Sequence, residues 1–291
     1  MTEEQDPYAY PGSNVLRNKP GIVVAELLAE FEYEQSAKRM QELHATPIEG
    51  KFDLDHLKAI HKAIFQDVYD WAGEIRTVSI IKGSTRFAEP DYIAAEAAKL
   101  SAAVANENNL RGLQKRQFVD RLAHYYAEWN ALHPFREGNG RTTRELMGEI
   151  ARQAGYEFDQ TRIDNSKGRW NEAARQSFAG RLQPVSEIFW EAVRPTRSLA
   201  FETLSQQEAL AKHPELEGTY EGLARLKAAY QARFPGDAEK QNQCTAQATA
   251  QILRTLDTGS VLQTRQADPA PAGPERTNPV LGDKISPDRQ R

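Results

Sequence analysis

The sequence predicts an all-α protein with one small β-hairpin, and three observations lead to that class. Apolar residues recur at helical spacing through most of the first 196 residues. β-branched residues cluster at one place, residues 75–81, where a turn at 82–84 and Phe87 indicate a short return arm. Of the 25 aromatic residues, 21 lie before residue 197. Because aromatic side chains supply much of a core's buried area, we expect the main core in residues 1–196.

Capping residues and helix breakers give the limits of the predicted helices. Asp53 can cap the second helix, Pro90 opens the third, and Gly155 should end the fifth. The fourth helix carries an inward-facing aromatic stripe that includes Phe118 and Trp129. The expected helices are 22–44, 53–68, 90–107, 115–132, 139–155, 167–179 and 184–193.

The last third of the chain has a different composition. Residues 197–260 contain helix formers but few aromatic residues, and they predict a helical appendage of unknown role. Residues 265–291 hold five of the 15 prolines among dispersed charges. Such a segment cannot bury enough apolar surface to offset the entropy of ordering, so we expect a disordered tail over 261–291.

Composition also excludes several classes of function. The chain has 291 residues, with 37 basic and 41 acidic side chains and a net charge of −4, whereas general nucleic-acid binders usually carry a strong basic excess. No run reaches the ~18 apolar residues of a membrane span, and the N-terminus lacks the pattern of a secretory signal. The single Cys244 excludes a disulfide framework and fits a reducing cytosol. We expect a cytoplasmic protein without membrane or direct nucleic-acid partners.

The most informative segment is HPFREGNGRTTR, which runs from His133 to Arg144. Pro134 ends the preceding helix, and Gly138 and Gly140 allow unusual backbone dihedrals and a close approach of a ligand. Because the loop leads into a helix, its amide N–H groups form an N-terminal site that favours an anion, above all a phosphate.

Four charged or titratable side chains flank this anion site. Arg141 and Arg144 lie three residues apart in the first turn, so we expect them on one face of the helix, where two guanidinium groups suit a polyphosphate. Glu137 stands beside them and can hold Mg²⁺, which usually binds through one or two carboxylates plus substrate phosphates. His133, with an ordinary pKa near 6.5, can accept a proton at neutral pH.

This segment resembles the signature of the Fic (filamentation induced by cAMP) family, H-x-F-x-(D/E)-G-N-G-R-x-x-R. Every specified position is filled, from His133 and Phe135 to Arg144. Flanking segments are similar as well, so that the resemblance covers residues 6–196 and excludes the C-terminal third. It implies the Fic fold and the transfer of AMP from ATP to a tyrosine, threonine or serine hydroxyl of a target protein.

The resemblance also implies a role for each motif residue. His133 would be the general base, and Glu137 would ligate Mg²⁺. The backbone of Gly138, Asn139 and Gly140 would hold phosphate, and Arg141 and Arg144 would bind the β- and γ-phosphates. The hairpin resembles a flap that pairs with an extended target segment, although an ordinary surface hairpin is the other interpretation. Its residues are Ile81, Lys82, Gly83, Ser84 and Thr85.

The absence of one sequence motif bears on how the protein would be regulated. Many Fic proteins are inhibited by a helix of pattern (S/T)-x-x-x-E-(G/N), and no segment of this chain fits it. The resemblance therefore implies the class whose inhibitory glutamate comes from a separate small antitoxin. The chain would then be a bacterial toxin or a secreted effector.

Two other functions stay open at this point. One is a Fic-fold transferase that moves another phosphate-containing group, such as phosphate or phosphocholine. The other is a non-catalytic interaction module in which the C-terminal helices bind a partner. The intact motif argues against the second, because a module without activity has no physical need for His133.

Overall fold

Helices dominate the computed structural model, which describes residues 6–83, 85–165 and 167–259, with Lys167 described by its backbone alone. The predicted tail and Ser84 lie outside the described residues. Within them, the all-α class is confirmed. The α-helices are α1 (Ala25–Ala45), α2 (Leu54–Phe65), α3 (Pro90–Asn106), α4 (Lys115–Leu132), α5 (Asn139–Gln153), α6 (Gln160–Asp164), α7 (Lys167–Phe178), α8 (Gln183–Ala192), α9 (Thr196–Thr203), α10 (Gln206–Lys212), α11 (Glu217–Arg233) and α12 (Ala238–Asp257).

The helix ends agree with the expected caps at most places and differ at two. The side chain of Asp53 accepts a hydrogen bond from the His56 amide and caps α2 as predicted. Helix α1 begins at Ala25 rather than Ile22, because the Asn18 side chain bonds both the N–H and the carbonyl of Ile22 and holds it outside the helix. Helix α2 ends at Phe65, three residues before the predicted end at 68.

The β-structure consists of two short antiparallel pairs among the described residues. Strands β1 (Ile81–Lys82) and β2 (Thr85–Arg86) form the predicted hairpin, but it is shorter than the β-branched run suggested. Strands β3 (Tyr156–Phe158) and β4 (Val193–Pro195) form a second ladder that was not predicted. Its two strands have three residues each and lie far apart in the sequence, so they do not show the local pattern by which a hairpin is predicted.

The main core surrounds α4 and α5. Helix α4 packs against α3, α5, α7 and α8, and α2 packs against both α1 and α5. Phe118, Leu122 and Trp129 of α4 are fully buried, as the aromatic stripe predicted. The loop that joins α4 to α5 therefore starts and ends inside the core, which gives its side chains fixed supports.

The C-terminal helices α9 to α12 enclose a second, smaller hydrophobic cluster that includes Phe201, Leu216 and Leu256. Helix α10 begins with a capping box in which Ser205 and Glu208 bond each other's backbone amides. No helix in the described part of the chain is both long and apolar enough to cross a bilayer. The division into residues 1–196, 197–260 and 261–291 stays a prediction.

Candidate active site

The loop between α4 and α5 begins with a strained backbone at His133. This residue caps α4 with φ 47° and ψ 59°, in the left-handed region that non-glycine residues seldom adopt. The buried Arg76 guanidinium donates to the His133 carbonyl at 2.8 Å, and the Arg76 amide donates to the Pro134 carbonyl at 2.9 Å. Two bonds from one residue therefore hold this conformation in place.

The His133 ring is buried and has one free nitrogen. Nδ1 faces the Asn130 carbonyl at 3.3 Å and so carries the proton, while Nε2 has no hydrogen-bond partner among the described residues. The ring stacks on Phe87 with centroids 3.8 Å apart. Burial, reinforced by Lys82, lowers the pKa of His133 to about 3, so the ring is neutral at pH 7. The lone pair of Nε2 is thus available to accept a proton.

The Glu137 carboxylate points away from the core toward the hairpin. Its Oε1 accepts the Gly138 amide at 3.0 Å, and its Oε2 lies 3.7 Å from Lys82 Nζ. Burial opposes ionisation, but Lys82, the Gly138 amide and Arg141 outweigh it and leave the pKa of the Glu137 carboxyl below its ordinary value. The site therefore presents an ionised carboxylate with one oxygen already facing a cation.

The N-terminus of α5 follows directly. A side chain fixes the loop there by hydrogen bonds, and the first backbone N–H groups of the helix have no helical partner. Asn139 is buried, and its side-chain amide bonds both the N–H and the carbonyl of Phe135, at 2.9 and 2.7 Å. Gly138 caps the helix with φ 81°, and a Cβ there would lie 2.3 Å from the Phe65 ring. Gly140 differs from the prediction, because it lies inside the helix and takes no unusual dihedral. The first N–H groups of α5 lack carbonyl partners four residues earlier in the helix, as at any helix start.

The two motif arginines point toward different neighbours, contrary to the expectation of one shared face. Arg141 reaches α1, where it pairs with Glu32 and donates to the Ser36 hydroxyl, and its guanidinium lies 4.7 Å from the Phe65 ring centroid. Arg144 lies over the Trp170 ring on the other side. Its nearest acidic partner is Asp164, at 3.4 Å, and its Nε is buried without a partner among the described residues. Arg144 is the less firmly held of the two.

The hairpin that was predicted to be a flap stands beside this loop. Ile81 is largely exposed, Gly83 takes φ 61° in the turn, and Thr85 faces Lys82 across the ladder. Phe87, just after the hairpin, provides the surface on which His133 stacks. Of the named flap residues, Lys82 is the one with a contact to the motif loop, 3.7 Å from the Glu137 carboxylate, while Ser84 lies outside the described residues.

Sequence reasoning missed two supporting residues. His61 lies on α2, where its ring is fully buried and bonds the Glu137 carbonyl at 3.0 Å. Arg76 lay inside the β-branched run and was not singled out. Neither residue carries a signal in the sequence, because a lone histidine on a helix and a lone arginine near a strand are usually unremarkable surface or packing residues.

The motif loop lies within a segment that matches a known protein family. The Fic/DOC family model matches residues 51–151. The chain is 40% identical over 195 residues to a probable protein adenylyltransferase Fic of Salmonella typhimurium, over 67% of this chain and 96% of that protein. It is 42% identical over 183 residues to the protein adenylyltransferase VbhT of Bartonella schoenbuchensis, over 63% of this chain. That match spans only 38% of VbhT.

Solved structures show the same fold. An N-terminal Fic domain of a Bartonella quintana effector with bound ADP has a TM-score of 0.61 at 29% identity, over 66% of this chain and 96% of that one. The BepC protein of Bartonella tribocorum with bound AMPPNP has a TM-score of 0.60 at 28% identity, over 65% of this chain and 96% of that one. With a relative matched along nearly its full length and the complete motif on one loop, the chain belongs to the Fic/DOC family.

Proposed function

We propose that this chain transfers AMP from ATP to a hydroxyl side chain of a target protein. The observation that carries the proposal is the free Nε2 of His133 on the same short loop as the Glu137 carboxylate and the N-terminus of α5. These are a proton acceptor, a cation ligand and an anion site. Relatives named as protein adenylyltransferases, and Fic domains with bound ADP and AMPPNP, support the same assignment.

The triphosphate would bind at the N-terminus of α5. The backbone N–H groups of Asn139 and Gly140 point out of the helix start, where the helix dipole favours negative charge. Arg144 would contact the terminal phosphates, because its bond to Asp164 is long and its Nε has no partner in the described chain. Arg141 would contribute mainly positive potential, since Glu32 and Ser36 already hold its guanidinium.

Glu137 fits a Mg²⁺ ion that would arrive with the nucleotide. The carboxylate is ionised, and Lys82 Nζ already lies 3.7 Å from the oxygen that the Gly138 amide does not use. One carboxylate is enough for such an ion, because Mg²⁺ usually binds through one or two carboxylates plus substrate phosphates. Bound there, Mg²⁺ would neutralise phosphate charge.

In the transfer itself, the role of His133 would be to accept a proton. The target hydroxyl oxygen attacks the α-phosphorus of ATP, and its proton passes to His133 Nε2. The bond from the α-phosphorus to the bridging oxygen of the β-phosphate breaks, and pyrophosphate leaves. Negative charge from the bound triphosphate favours the imidazolium and would raise the pKa of His133 from its depressed value, which makes the ring a better base in the complex.

The hairpin would hold the target segment. Strands β1 and β2 are two residues each and pair only with one another in the described chain, so their outer edges can bond an extended peptide. Lys82 and Thr85 would line that edge close to His133. A peptide bound there would bring its hydroxyl to the free Nε2.

The test is incubation of the purified chain with Mg²⁺, labelled ATP and a cell lysate, beside the His133→Ala variant. We expect the wild type to add one AMP moiety to a target, and the variant to lose about 10²–10⁴-fold of the rate while still binding ATP. Mass spectrometry that found a phosphate or phosphocholine on the target would contradict AMP transfer. Full activity of the variant would contradict the role of His133.

We further propose that a small antitoxin regulates the chain by placing a glutamate against Arg144. The weakly partnered guanidinium of Arg144 can accept such a carboxylate, and a charge-assisted pair can compete with one phosphate contact. The chain would be a cytoplasmic toxin, or an effector that is secreted from the cell that makes it, and the free Cys244 suits a reducing compartment. Expression in a bacterial host should slow growth for the wild type and not for His133→Ala. Equal growth of both strains would contradict the toxin role.

A further inference from the structure

His61, on α2, lies directly beneath the Glu137–Gly138 peptide bond. Its ring is fully buried and is stacked on Phe135 with centroids 3.8 Å apart and planes 20° from parallel. Phe65 packs against the ring from a second direction, at 4.7 Å. The ring therefore has one orientation, and both of its nitrogens have defined partners.

Those partners determine where the ring proton lies. The Gly73 amide donates to Nδ1 at 2.8 Å, so Nδ1 is an acceptor and carries no proton. The single proton of the neutral ring then lies on Nε2, which donates to the Glu137 carbonyl at 3.0 Å. Gly73 can present its amide because it packs directly on α2, where a Cβ would lie 2.9 Å from Lys62.

Holding the Glu137 carbonyl also orients the next amide. A trans peptide group is planar, so its C=O and N–H point in opposite directions. With the carbonyl turned toward His61, the Gly138 N–H points away from the core. There it donates to Oε1 of the Glu137 side chain at 3.0 Å, which leaves Oε2 facing Lys82.

We propose that His61 is a positioning residue that fixes the Glu137–Gly138 peptide and thereby aims the Glu137 carboxylate. The part of this proposal that concerns Mg²⁺ rests on the proposed function, whereas the orientation of the peptide does not. A histidine is suited to the position because it supplies one donor and one acceptor on opposite sides of a flat ring that stacks between aromatic neighbours.

Two variants separate this role from a general contribution to stability. In His61→Gln, the side-chain NH₂ can occupy the place of Nε2 and donate to the Glu137 carbonyl, while the Gly73 amide loses its acceptor. In His61→Asn, the shorter side chain can accept from Gly73 but cannot reach Glu137. A matched control is His56→Asn, a second buried histidine on α2 whose partners are the Phe52 amide, the Ile48 carbonyl and Glu149 rather than the motif loop.

The first measurement is amide hydrogen exchange at Gly138 under conditions of local opening. We expect about tenfold faster exchange in His61→Asn, and rates within about threefold of wild type in His61→Gln and His56→Asn. Equal exchange in the Asn and Gln variants would overturn the proposal. If His61→Asn does not fold, the ¹⁵N shifts of the His61 ring in the wild type decide, because a proton on Nδ1 would overturn the assignment.

The second measurement is the Mg²⁺ concentration that half-saturates AMP transfer, together with ATP affinity in the presence of a chelator. His61→Asn should need 10–100-fold more Mg²⁺, the usual effect of removing the support of a metal ligand, while ATP affinity without metal stays within about threefold. An unchanged Mg²⁺ requirement would overturn the link to Glu137. A wild-type chain that transfers no AMP would contradict the proposed function, and hydrogen exchange at Gly138 would still decide the role of His61.

Discussion

At the scale of single residues, the two glycines of the motif serve different purposes. Gly138 has φ 81° and lies against the Phe65 ring, so protein packing and backbone conformation both require a glycine there. Gly140 is helical, and a Cβ there would meet only Arg144 Nη1, at an ordinary 3.7 Å. Since the protein itself does not require Gly140, its missing side chain leaves room for a ligand at the start of α5.

Alanine at each glycine should therefore give opposite results. Gly138→Ala should lower the free energy of unfolding by about 2–4 kcal/mol, because it combines a left-handed backbone with overpacking against Phe65. Gly140→Ala should leave stability unchanged or slightly higher but weaken ATP binding about tenfold, or by about 1.4 kcal/mol. Chemical denaturation and calorimetry measure the two effects. Normal ATP affinity in Gly140→Ala would contradict a phosphate site at this position.

His133 and Lys82 form the second informative pair at this scale. Lys82 lies close enough to depress the pKa of His133 and to pair with Glu137. Burial, Arg76 and Lys82 lower the pKa of the His133 ring, while the Asn130 carbonyl and Glu137 act in the other direction. Because the base must be neutral to accept a proton, the acid limb of the pH profile reports this balance.

Lys82→Gln should move the acid limb of kcat/KM to higher pH. Removing the ammonium group favours the protonated ring and so raises the pKa of His133, and it raises the pKa of Glu137 in the same direction. Activity would then be lost at a higher pH as the medium is acidified. The control is Lys99→Gln, a surface lysine of α3 paired with Glu96. An acid limb that stays in place or moves to lower pH would contradict the assignment of His133 as the base.

At the scale of elements, Arg76 connects the hairpin to the motif loop. Its guanidinium, 1% exposed, donates to the carbonyls of Val78 and Ala88 on the two arms of the hairpin. It also donates to Leu132 and His133 at the end of α4. No carboxylate of the described chain pairs with it directly, so these backbone carbonyls are its partners. Within the β-branched run, the Val78 carbonyl therefore bonds Arg76 rather than a neighbouring strand.

Replacing Arg76 should loosen both elements together. Arg76→Met leaves buried carbonyls without donors, each at a cost of about 1–3 kcal/mol, so we expect a large loss of stability and faster amide exchange at Lys82 and Thr85. Arg76→Lys keeps a charge and fewer bonds and should give an intermediate result. In Arg76→Lys, amide exchange at Lys82 and Thr85 could equal that of the wild type while the free energy of unfolding fell. Arg76 would then stabilise the core without connecting the two elements.

At the scale of the whole molecule, the described part of the chain has two hydrophobic clusters that meet near β4. Arg194 of β4 bonds Asp257 at the end of α12 at 3.2 Å, and the Lys115 amide donates to Thr258 at 3.3 Å. The active-site loop lies in the first cluster, at the junction of α4 and α5. The C-terminal helices therefore reach the main core through β4 and the start of α4.

Leu256→Ala tests whether the second cluster is independent of the site. The side chain is fully buried in the second cluster, and its truncation should cost about 2–5 kcal/mol. We expect the C-terminal helices to unfold at lower denaturant concentration while ATP affinity stays unchanged, so that far-UV dichroism and ATP binding no longer coincide. A parallel loss of ATP affinity would show that the two clusters fold as one unit.

The sequence alone determined the fold class, most helices and the family, because these depend on local patterns and on one contiguous motif. Folding decided the supports of the site. His61 meets Glu137 across 76 residues, Arg76 meets His133 across 57, and Glu32 meets Arg141 across 109. Spacing along one helix placed Arg141 and Arg144 on one face, but neighbouring helices turned the two guanidinium groups toward different partners. Such contacts depend on how helices pack against each other, and no local pattern in the sequence encodes that packing.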